Sequence, residues 1–323
     1  MTALPFSPKV RPFRIDTDVP PLLHLSAEAE AVDTGELLSE EQVRLYLSLP
    51  NHNPETDRWV VEHPDDAAVL IAHAKLHLPS EADDCRVADA TLVVHPQWRR
   101  QGIARTLFSL IEGPLEGTTD VNELRVYLDP RHEGAVTFAS ARQFRANPAD
   151  TYTEMHAVLA DVTAQPVLPE GFTLRSYRDV DHLPTLVEAV DRGFEGLHGH
   201  HRSSEVGFAP HLAELDWDGL FLLFAPDGKV VGTVGAQLAP DRTERNGVLT
   251  GLVDSPGLVP EHRSPELYRA LLLSGVAYLK GRNVVRAELQ SWGDAPETIT
   301  LYTTLGFAVH HQQVAYGHGR PVR

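Results

Sequence analysis

The residues best suited to chemistry form one short loop that would bind an anion. The loop consists of Arg99, Arg100, Gln101, Gly102, Ile103 and Ala104. Gly102 lets the backbone approach a ligand closely, and Ala104 keeps the first helical turn thin, so several amides can face a pyrophosphate. The two arginines add positive charge at the same place. These residues alone leave open an alternative, a strand-to-helix turn with a solvated basic rim.

A predicted strand and a predicted helix must hold this loop in place. Leu92, Val93 and Val94 form a short apolar run, and Pro96 ends it. Beyond the loop, apolar side chains recur at helical spacing, at Ile103, Leu107, Leu110 and Ile111. The order is therefore strand, loop and helix N-terminus, an arrangement typical of anion sites.

The loop resembles the acyl-CoA loop of the GNAT superfamily of N-acetyltransferases. That pattern is Gln or Arg, two variable positions, Gly, one variable position, then Gly or Ala, and Val94, His95 and Pro96 match its usual lead-in. The resemblance implies that the amides of residues 101–104 hold the pyrophosphate of acetyl-CoA as co-substrate. It also implies that the backbone of Val93 and Val94 pairs with the pantetheine arm. Acyl transfer in this family is direct, from the thioester to an acceptor amine.

Length and composition indicate a globular protein of two ordinary domains. The chain has 323 residues, of which 42% are hydrophobic and 23% charged. No run reaches the ~18 apolar residues of a membrane helix, and the first nine residues lack a signal-peptide core. The single cysteine, Cys85, has no partner for a disulfide and no zinc-type spacing. We expect a cytoplasmic protein without a metal and without a membrane partner.

One spacing repeated along the chain predicts an internal duplication. Pro96 and Pro260 lie 164 residues apart, as do Arg99 and Arg263. We predict two domains, residues 1–161 and 172–323, joined by a linker at 162–171 that contains prolines. Each is predicted to be an α/β domain with a central mixed β-sheet flanked by helices, in a tandem GNAT-like arrangement that resembles mycothiol synthase. Such a chain would be a monomer with pseudo-dimeric domains or a homodimer.

Alternating strand and helix patterns in the two halves support this fold class. In the first half we predict strands at 10–15, 58–62, 68–77, 88–94, 124–128 and 151–159, and helices at 21–31, 39–49, 103–112 and 134–142. In the second half we predict strands at 172–177, 220–224, 229–238, 248–253, 284–290 and 308–316, and helices at 265–280 and 296–305.

The two halves differ in their candidate chemistry. At the loop position the second half has Ser264, Pro265 and Glu266, which resemble an ordinary capped helix start with a carboxylate where the anion would bind. Conversely, residues 301–307 (LYTTLGF) match the closing helix of the family, in which a Tyr often protonates the departing thiolate. That residue is Tyr302 here, whereas the first half has Ala139 at this position.

Several residues of the first half could move protons. Tyr127 and Ser140 are candidate donors to the thiolate, and Asp89 and His95 flank the central strand, where the family often carries its base. His132 stands where the family commonly has an Asn that contacts the coenzyme. Surface, turn and other structural roles remain the alternatives for each of these residues.

The remaining clues concern the acceptor. The chain carries a net charge of −17, divided as −12 in residues 1–161 and −5 in the rest, which would repel nucleic acid and attract a cationic amine. Histidines at 198, 200 and 201 lack the carboxylate or cysteine spacing of a metal site. We therefore predict an acetyl-CoA-dependent N-acyltransferase acting on a small primary amine. The alternative is a protein that binds acyl-CoA without turnover.

Overall fold

The computed structural model divides the chain into two compact units. It describes residues 8–33, 40–47, 53–79, 86–116, 118, 121–197, 205–208, 212 and 215–319. Unit 1 contains residues 1–147 and 314–323, and unit 2 contains residues 148–313. The units thus differ from the predicted halves of the sequence, because the chain enters unit 2 before residue 161 and returns to unit 1 at its end. Cys85 and the histidines at 198–201 lie outside the described residues.

In its described residues, unit 1 combines a sheet with five α-helices. The helices are α1 (Ile15–Asp33), α2 (Glu40–Leu47), α3 (Pro54–Asp57), α4 (Ile103–Glu116) and α5 (Glu133–Ser140). The strands are β1 (Val10–Pro12), β2 (Arg58–Glu62), β3 (Leu70–His77), β4 (Val87–Val94) and β5 (Glu123–Leu128), with the end of β13 (Ala308–Gly319). Every strand predicted before residue 130 is present, and β2 has its predicted bounds.

The sheet of unit 1 is mixed, as predicted. Its order is β1-β2-β3-β4-β5-β13, and neighbours are antiparallel except for β4 and β5, which run parallel. The last strand pairs residues 314–319 with residues 128–123 of β5. This pairing joins segments nearly two hundred residues apart, which local sequence patterns do not reveal.

Helices cover both faces of this sheet because each has an apolar stripe. On one face, Leu107, Ile111 and Leu115 of α4 are almost fully buried at helical spacing. On the other face, Val19 and Leu25 of α1 pack with Phe13 in a second core. Each buried leucine or isoleucine contributes about 1.5–3 kcal/mol to stability. These two cores fix the position of β4, the strand that leads into the candidate loop.

Unit 2 repeats this topology with its own segments. Its strand order is β7-β8-β9-β10-β12-β6, with β10 and β12 parallel, and β11 pairs with β9. The strands are β6 (Arg145–Val158), β7 (Thr173–Ser176), β8 (Leu220–Phe224), β9 (Val230–Leu238), β10 (Thr250–Asp254), β11 (Gly257–Leu258) and β12 (Arg286–Trp292). The helices are α6 (Tyr177–Val180), α7 (Leu183–Gly193), α8 (Glu205–Phe208), α9 (Pro240–Asn246), α10 (Pro265–Gly281) and α11 (Pro296–Thr304). The predicted fold class, two similar mixed-sheet units, is confirmed.

Among the described residues, no helix combines the length and the apolar character needed to cross a membrane.

Candidate active site

The central feature of unit 1 is a gap between two parallel strands. β4 and β5 pair over residues 87–90 and 123–126, and within the described sheet this pairing stops there. β4 nevertheless continues to Val94 and β5 to Leu128. A gap therefore opens between residues 91–94 and residues 127–128, and we call it the wedge.

The backbone of β4 offers hydrogen-bonding groups to the wedge. The amide of His95 donates to the carbonyl of Ile71 on β3 at 2.9 Å. Since bonding directions alternate along an antiparallel pair, Val93 also faces β3, whereas Leu92 and Val94 face the wedge. Of the two residues predicted to pair with pantetheine, Val94 therefore has its amide in position, and Leu92 replaces Val93.

The loop after β4 has the conformation that an anion site requires. Arg100 and Gly102 adopt positive φ angles of 66° and 86°, so the chain turns sharply before α4 begins at Ile103. The amides of Arg105 and Thr106 bond the Gly102 carbonyl at 3.0 and 3.2 Å. Within the described parts of the chain, the amides of residues 101–104 have no hydrogen-bond acceptor. They are the open donors of a helix N-terminus.

The side chains of the loop divide into buried and exposed ones. Ile103 is 2% exposed and lies in the core, which anchors the helix start, while Gln101 and Ala104 are half-buried. Arg100 is exposed beside the open amides. Its charge is thus available to a ligand at this place.

Arg99, in contrast, ties the loop to its surroundings. Its Nε donates to the Val94 carbonyl at 3.0 Å, and its Nη1 donates to Asp33 at the end of α1 at 2.8 Å. Arg263 makes the matching bond in unit 2, from Nε to the Leu258 carbonyl at 3.0 Å. Because unit 2 keeps this bond without an open loop, Arg99 has a structural role as well as a charge.

The two predicted bases are both engaged by neighbours. Both carboxylate oxygens of Asp89 accept from Arg125, which lies opposite it on β5, at 2.6 and 3.0 Å. His95 accepts the Gln97 amide through Nδ1 at 3.2 Å and contacts Glu28 through Nε2. The geometry therefore favours positioning roles for Asp89 and His95.

Tyr127 is the predicted proton donor that lies in the wedge. It belongs to the part of β5 that β4 no longer covers, it is half-buried, and the Arg125 guanidinium stacks 5.1 Å from its ring centroid. Ser140 ends α5 and is exposed, about 10 Å along the helix from its start. His132 directly precedes α5, and its ring caps no amide there. Tyr127 thus lies in the wedge, whereas His132 and Ser140 lie at the start and the end of α5.

The equivalent loop in unit 2 is an ordinary capped helix start. Ser264 accepts the Leu267 amide through Oγ at 3.3 Å, and Pro265 has no amide hydrogen to offer. Glu266 is exposed in the first turn. The predicted cap is confirmed, and this helix start offers an anion fewer amides and a repelling carboxylate.

Tyr302 is locked within a polar cluster of unit 2. Asp294 Oδ2 accepts from Ser255 at 2.5 Å, from Ser291 at 2.7 Å and from the Tyr302 hydroxyl at 3.3 Å. Tyr302 is fully buried, and burial together with the Asp294 charge raises the pKa of its hydroxyl well above the ordinary value. The hydroxyl is thus held inside the cluster by Asp294 and Ser255.

A second polar cluster is not evident from the sequence because His310 is distant in the chain from Glu154 and His156. Glu154 accepts from His156 at 2.6 Å, and His156 stacks on His310 with ring centroids 4.0 Å apart. Their ligand atoms lie within 4.8 Å of one another, close enough for a metal. Arg242 lies 3.7 Å from Glu154 and Arg286 also contacts His156, so cations already compensate the carboxylate. The alternation of Glu154 and His156 on one strand was the available signal.

Comparisons with known proteins agree with this architecture. No family model matches the chain. The mycothiol acetyltransferase of a Nocardioides species is 30% identical over 292 residues, covering 86% of this chain and 90% of the relative. The chain belongs to the mycothiol acetyltransferase family.

Solved structures support the same fold. A GCN5-related N-acetyltransferase from Sphaerobacter thermophilus matches with a TM-score of 0.70 and 21% identity, covering 99% of this chain and 98% of that one. A tandem GNAT protein from the clavulanic acid biosynthesis pathway matches with a TM-score of 0.68, also at 21% identity, covering 98% and 99%. This member of the mycothiol acetyltransferase family therefore has a tandem GNAT fold.

Proposed function

We propose that the chain binds one acetyl-CoA, in unit 1, and transfers its acetyl group to the primary amine of a small molecule. The observation that carries this proposal is the pairing of an open loop with an open wedge. Gly102 has a φ of 86°, and the amides around it lack acceptors among the described residues, next to a strand edge that β5 leaves uncovered. The corresponding helix start in unit 2 is capped by Ser264.

Each part of the site has a distinct task in this proposal. The amides of residues 101–104 and the charge of Arg100 hold the pyrophosphate, and Leu92 and Val94 orient the pantetheine arm along β4. Acetyl-CoA supplies the activated acetyl group. The acceptor nitrogen bonds to the acetyl carbon while the C–S bond breaks, so a proton leaves the amine and another reaches the thiolate. Tyr127 donates the second proton, and water accepts the first.

The charge of the chain supports a cationic acceptor. The first 161 residues carry a net charge of −12, a field that attracts an amine and repels nucleic acid. The relatives are named for mycothiol, which agrees with a small-molecule acceptor.

The salt dependence of KM tests this attraction. Raising the salt from 0.1 M to 1 M shortens the Debye length from about 10 Å to about 3 Å, so KM for the acceptor should rise more than KM for acetyl-CoA. An acceptor KM that does not change with salt would show that the negative charge of the chain does not attract the acceptor.

Multiple turnover is the experiment that tests the proposed function. A panel of small amines is incubated with acetyl-CoA, and released coenzyme A and acetylated product are quantified together. We expect product in large excess over the protein for at least one amine. Release of less than one coenzyme A per chain with every amine would instead indicate a binding protein without catalysis.

A further inference from the structure

A cavity of about 450 Å³ lies beside α4 in unit 1, and we call it the α4 cavity. Its size is within the range of small-molecule pockets, about 300–1,000 Å³. Its walls come from α4, β5, β13 and the turn after α5, and they include Phe108, Leu115, Leu124, Arg142, Phe144 and His318. The wall residues on α4 lie about 8–18 Å along the helix from Ile103. The α4 cavity is therefore separate from the open amides of the loop.

The internal repeat identifies the counterpart of the α4 cavity in unit 2. Phe144 and Phe307 lie 163 residues apart, and the same spacing relates residues 142 and 143 of unit 1 to Leu305 and Gly306. Leu305 and Phe307 are 4% and 1% exposed and belong to the main core of unit 2. Residues that line a cavity in unit 1 thus correspond to core residues in unit 2.

In unit 2, two apolar side chains that follow β6 pack at this place. Leu159 and Val162 are each 1% exposed and belong to the same core. A β-carbon added to Gly306 would come 3.4 Å from Cγ2 of Val162, so Val162 lies directly on this turn. The strand of unit 1 that matches β6 is β13, since it pairs with β5 as β6 pairs with β12. Apolar groups therefore fit this place, and the described residues of unit 1 leave it open.

The α4 cavity also has a cation that its counterpart lacks. The guanidinium of Arg142 lies over the rings of Phe138 and Phe108, 3.6 and 5.1 Å from their centroids. Among the described residues, its only hydrogen bond runs from Nη1 to the Phe138 carbonyl at 3.1 Å, and it forms no ion pair. The other N–H groups of this planar fork can therefore bind an acceptor.

The charges around the α4 cavity favour an anion beside Arg142. Burial lowers the pKa of Arg142 and the charge of Arg105 lowers it further, while Glu112 acts in the other direction. Glu112 also lines the cavity, but its side chain is exposed and forms no ion pair with Arg142 within the described residues. An anion that binds Arg142 would offset both its lost hydration and the repulsion from Arg105.

We propose that the α4 cavity binds an aliphatic carboxylate of medium chain length, with its carboxylate on Arg142 and its hydrocarbon chain between Phe108 and Phe144. The guanidinium fork matches the two oxygens of a carboxylate. The apolar walls remove the chain from water, as Leu159 and Val162 are removed from water in unit 2. The site goes beyond the proposed function and does not depend on it, because it lies apart from the loop and the wedge.

Calorimetric titration of the full chain with matched ligands tests the site. Octanoate is compared with 1-octanol, which has the same chain without the charge, and with acetate, which has the charge without the chain. We expect octanoate to bind about tenfold or more tightly than octanol, and acetate to give no measurable binding. Arg142→Met should keep octanol binding and bring the two affinities within about threefold of each other. The control is Arg269→Met, which removes an exposed arginine of α10 and should change neither affinity.

A second variant keeps the test decisive if Arg142→Met fails to fold. Glu112→Gln changes an exposed side chain and removes its negative charge from the cavity, so it should tighten octanoate about two- to fivefold and leave octanol unchanged. Octanoate that binds no tighter than octanol, a preference that survives in Arg142→Met, or no tightening in Glu112→Gln would overturn the proposal.

Two further results would assign the α4 cavity to another occupant and overturn the proposal as well. One is a dimer in sedimentation of the ligand-free chain that Arg142→Met dissociates, which would indicate a second copy of the chain. The other is octanoate binding that is seen only after residues 320–323 are removed, which would indicate that segment.

Discussion

Replacing Gly102 with glutamate should greatly weaken coenzyme binding, because it places a carboxylate among the open amides. The sequence of unit 2 has made this change, with Glu266 in the matching turn. At a separation of 4 to 8 Å and an effective dielectric constant of about 20, one carboxylate repels one phosphate charge by about 2–4 kcal/mol. This corresponds to a roughly 30- to 1,000-fold increase in Kd. The φ of 86° adds a second effect, since any L side chain there destabilises the fold by about 1–2 kcal/mol.

The two effects separate in a series of variants. Gly102→Gln shares the strain and the bulk of Gly102→Glu but not the charge, so the difference between their Kd values measures repulsion. Gly113→Glu is the matched control, because it adds the same charge to α4 at a position whose new side chain meets open space, about 16 Å along the helix. Calorimetric titration with coenzyme A gives Kd and stoichiometry. A Gly102→Glu chain that binds within about threefold of wild type would refute the assigned loop.

Three further changes test the roles of the two loop arginines, of Tyr302 and of Glu154. Arg99→Ala should lower the free energy of unfolding by about 1–3 kcal/mol in chemical denaturation, whereas Arg100→Ala should weaken coenzyme binding and leave that free energy unchanged. Tyr302→Phe should keep kcat within about threefold and cost about 1 kcal/mol of stability through the lost bond to Asp294; a drop in kcat of about a hundredfold would instead place the chemistry in unit 2. Burial alone would raise the pKa of Glu154, but His156 and Arg242 together lower it to about 2. Its stabilising contribution is therefore full above its unfolded pKa near 4.5 and lost as the pH falls toward 2, and Glu154→Gln should flatten stability over that range in acid titrations.

Local patterns in the sequence were sufficient for the elements around the site. The strand before the loop, the helix from Ile103 and the cap at Ser264 all depend on residues within a few positions of one another. Propensity, capping and apolar spacing act over that range, so these predictions held. The sequence also predicted that the first half keeps its loop amides open. Gly102 leaves them accessible, whereas Glu266 places a carboxylate at the equivalent position of the second half.

The features that the sequence did not reveal depend on contacts between residues far apart in the chain. The return of the chain to unit 1 depends on pairs such as Val314 with Leu128, and the wedge depends on where the pairing of β4 and β5 stops. The orientation of Val93 toward β3 follows from register alone. The sequence predicts that Arg99 contacts the pyrophosphate. In the structure its guanidinium donates a hydrogen bond to Asp33, at the end of α1. In each case the contacting residues are far apart in the sequence, beyond the range over which helix and strand periodicity gives information.

A crystal structure with coenzyme A bound would show directly which unit holds the coenzyme. We expect one coenzyme per chain, with its pyrophosphate on the amides of residues 101–104 and its pantetheine arm along Leu92 and Val94 in the wedge of unit 1. Density for the pyrophosphate at the start of α10, beside Ser264 and Glu266, would contradict the assignment of the site to unit 1.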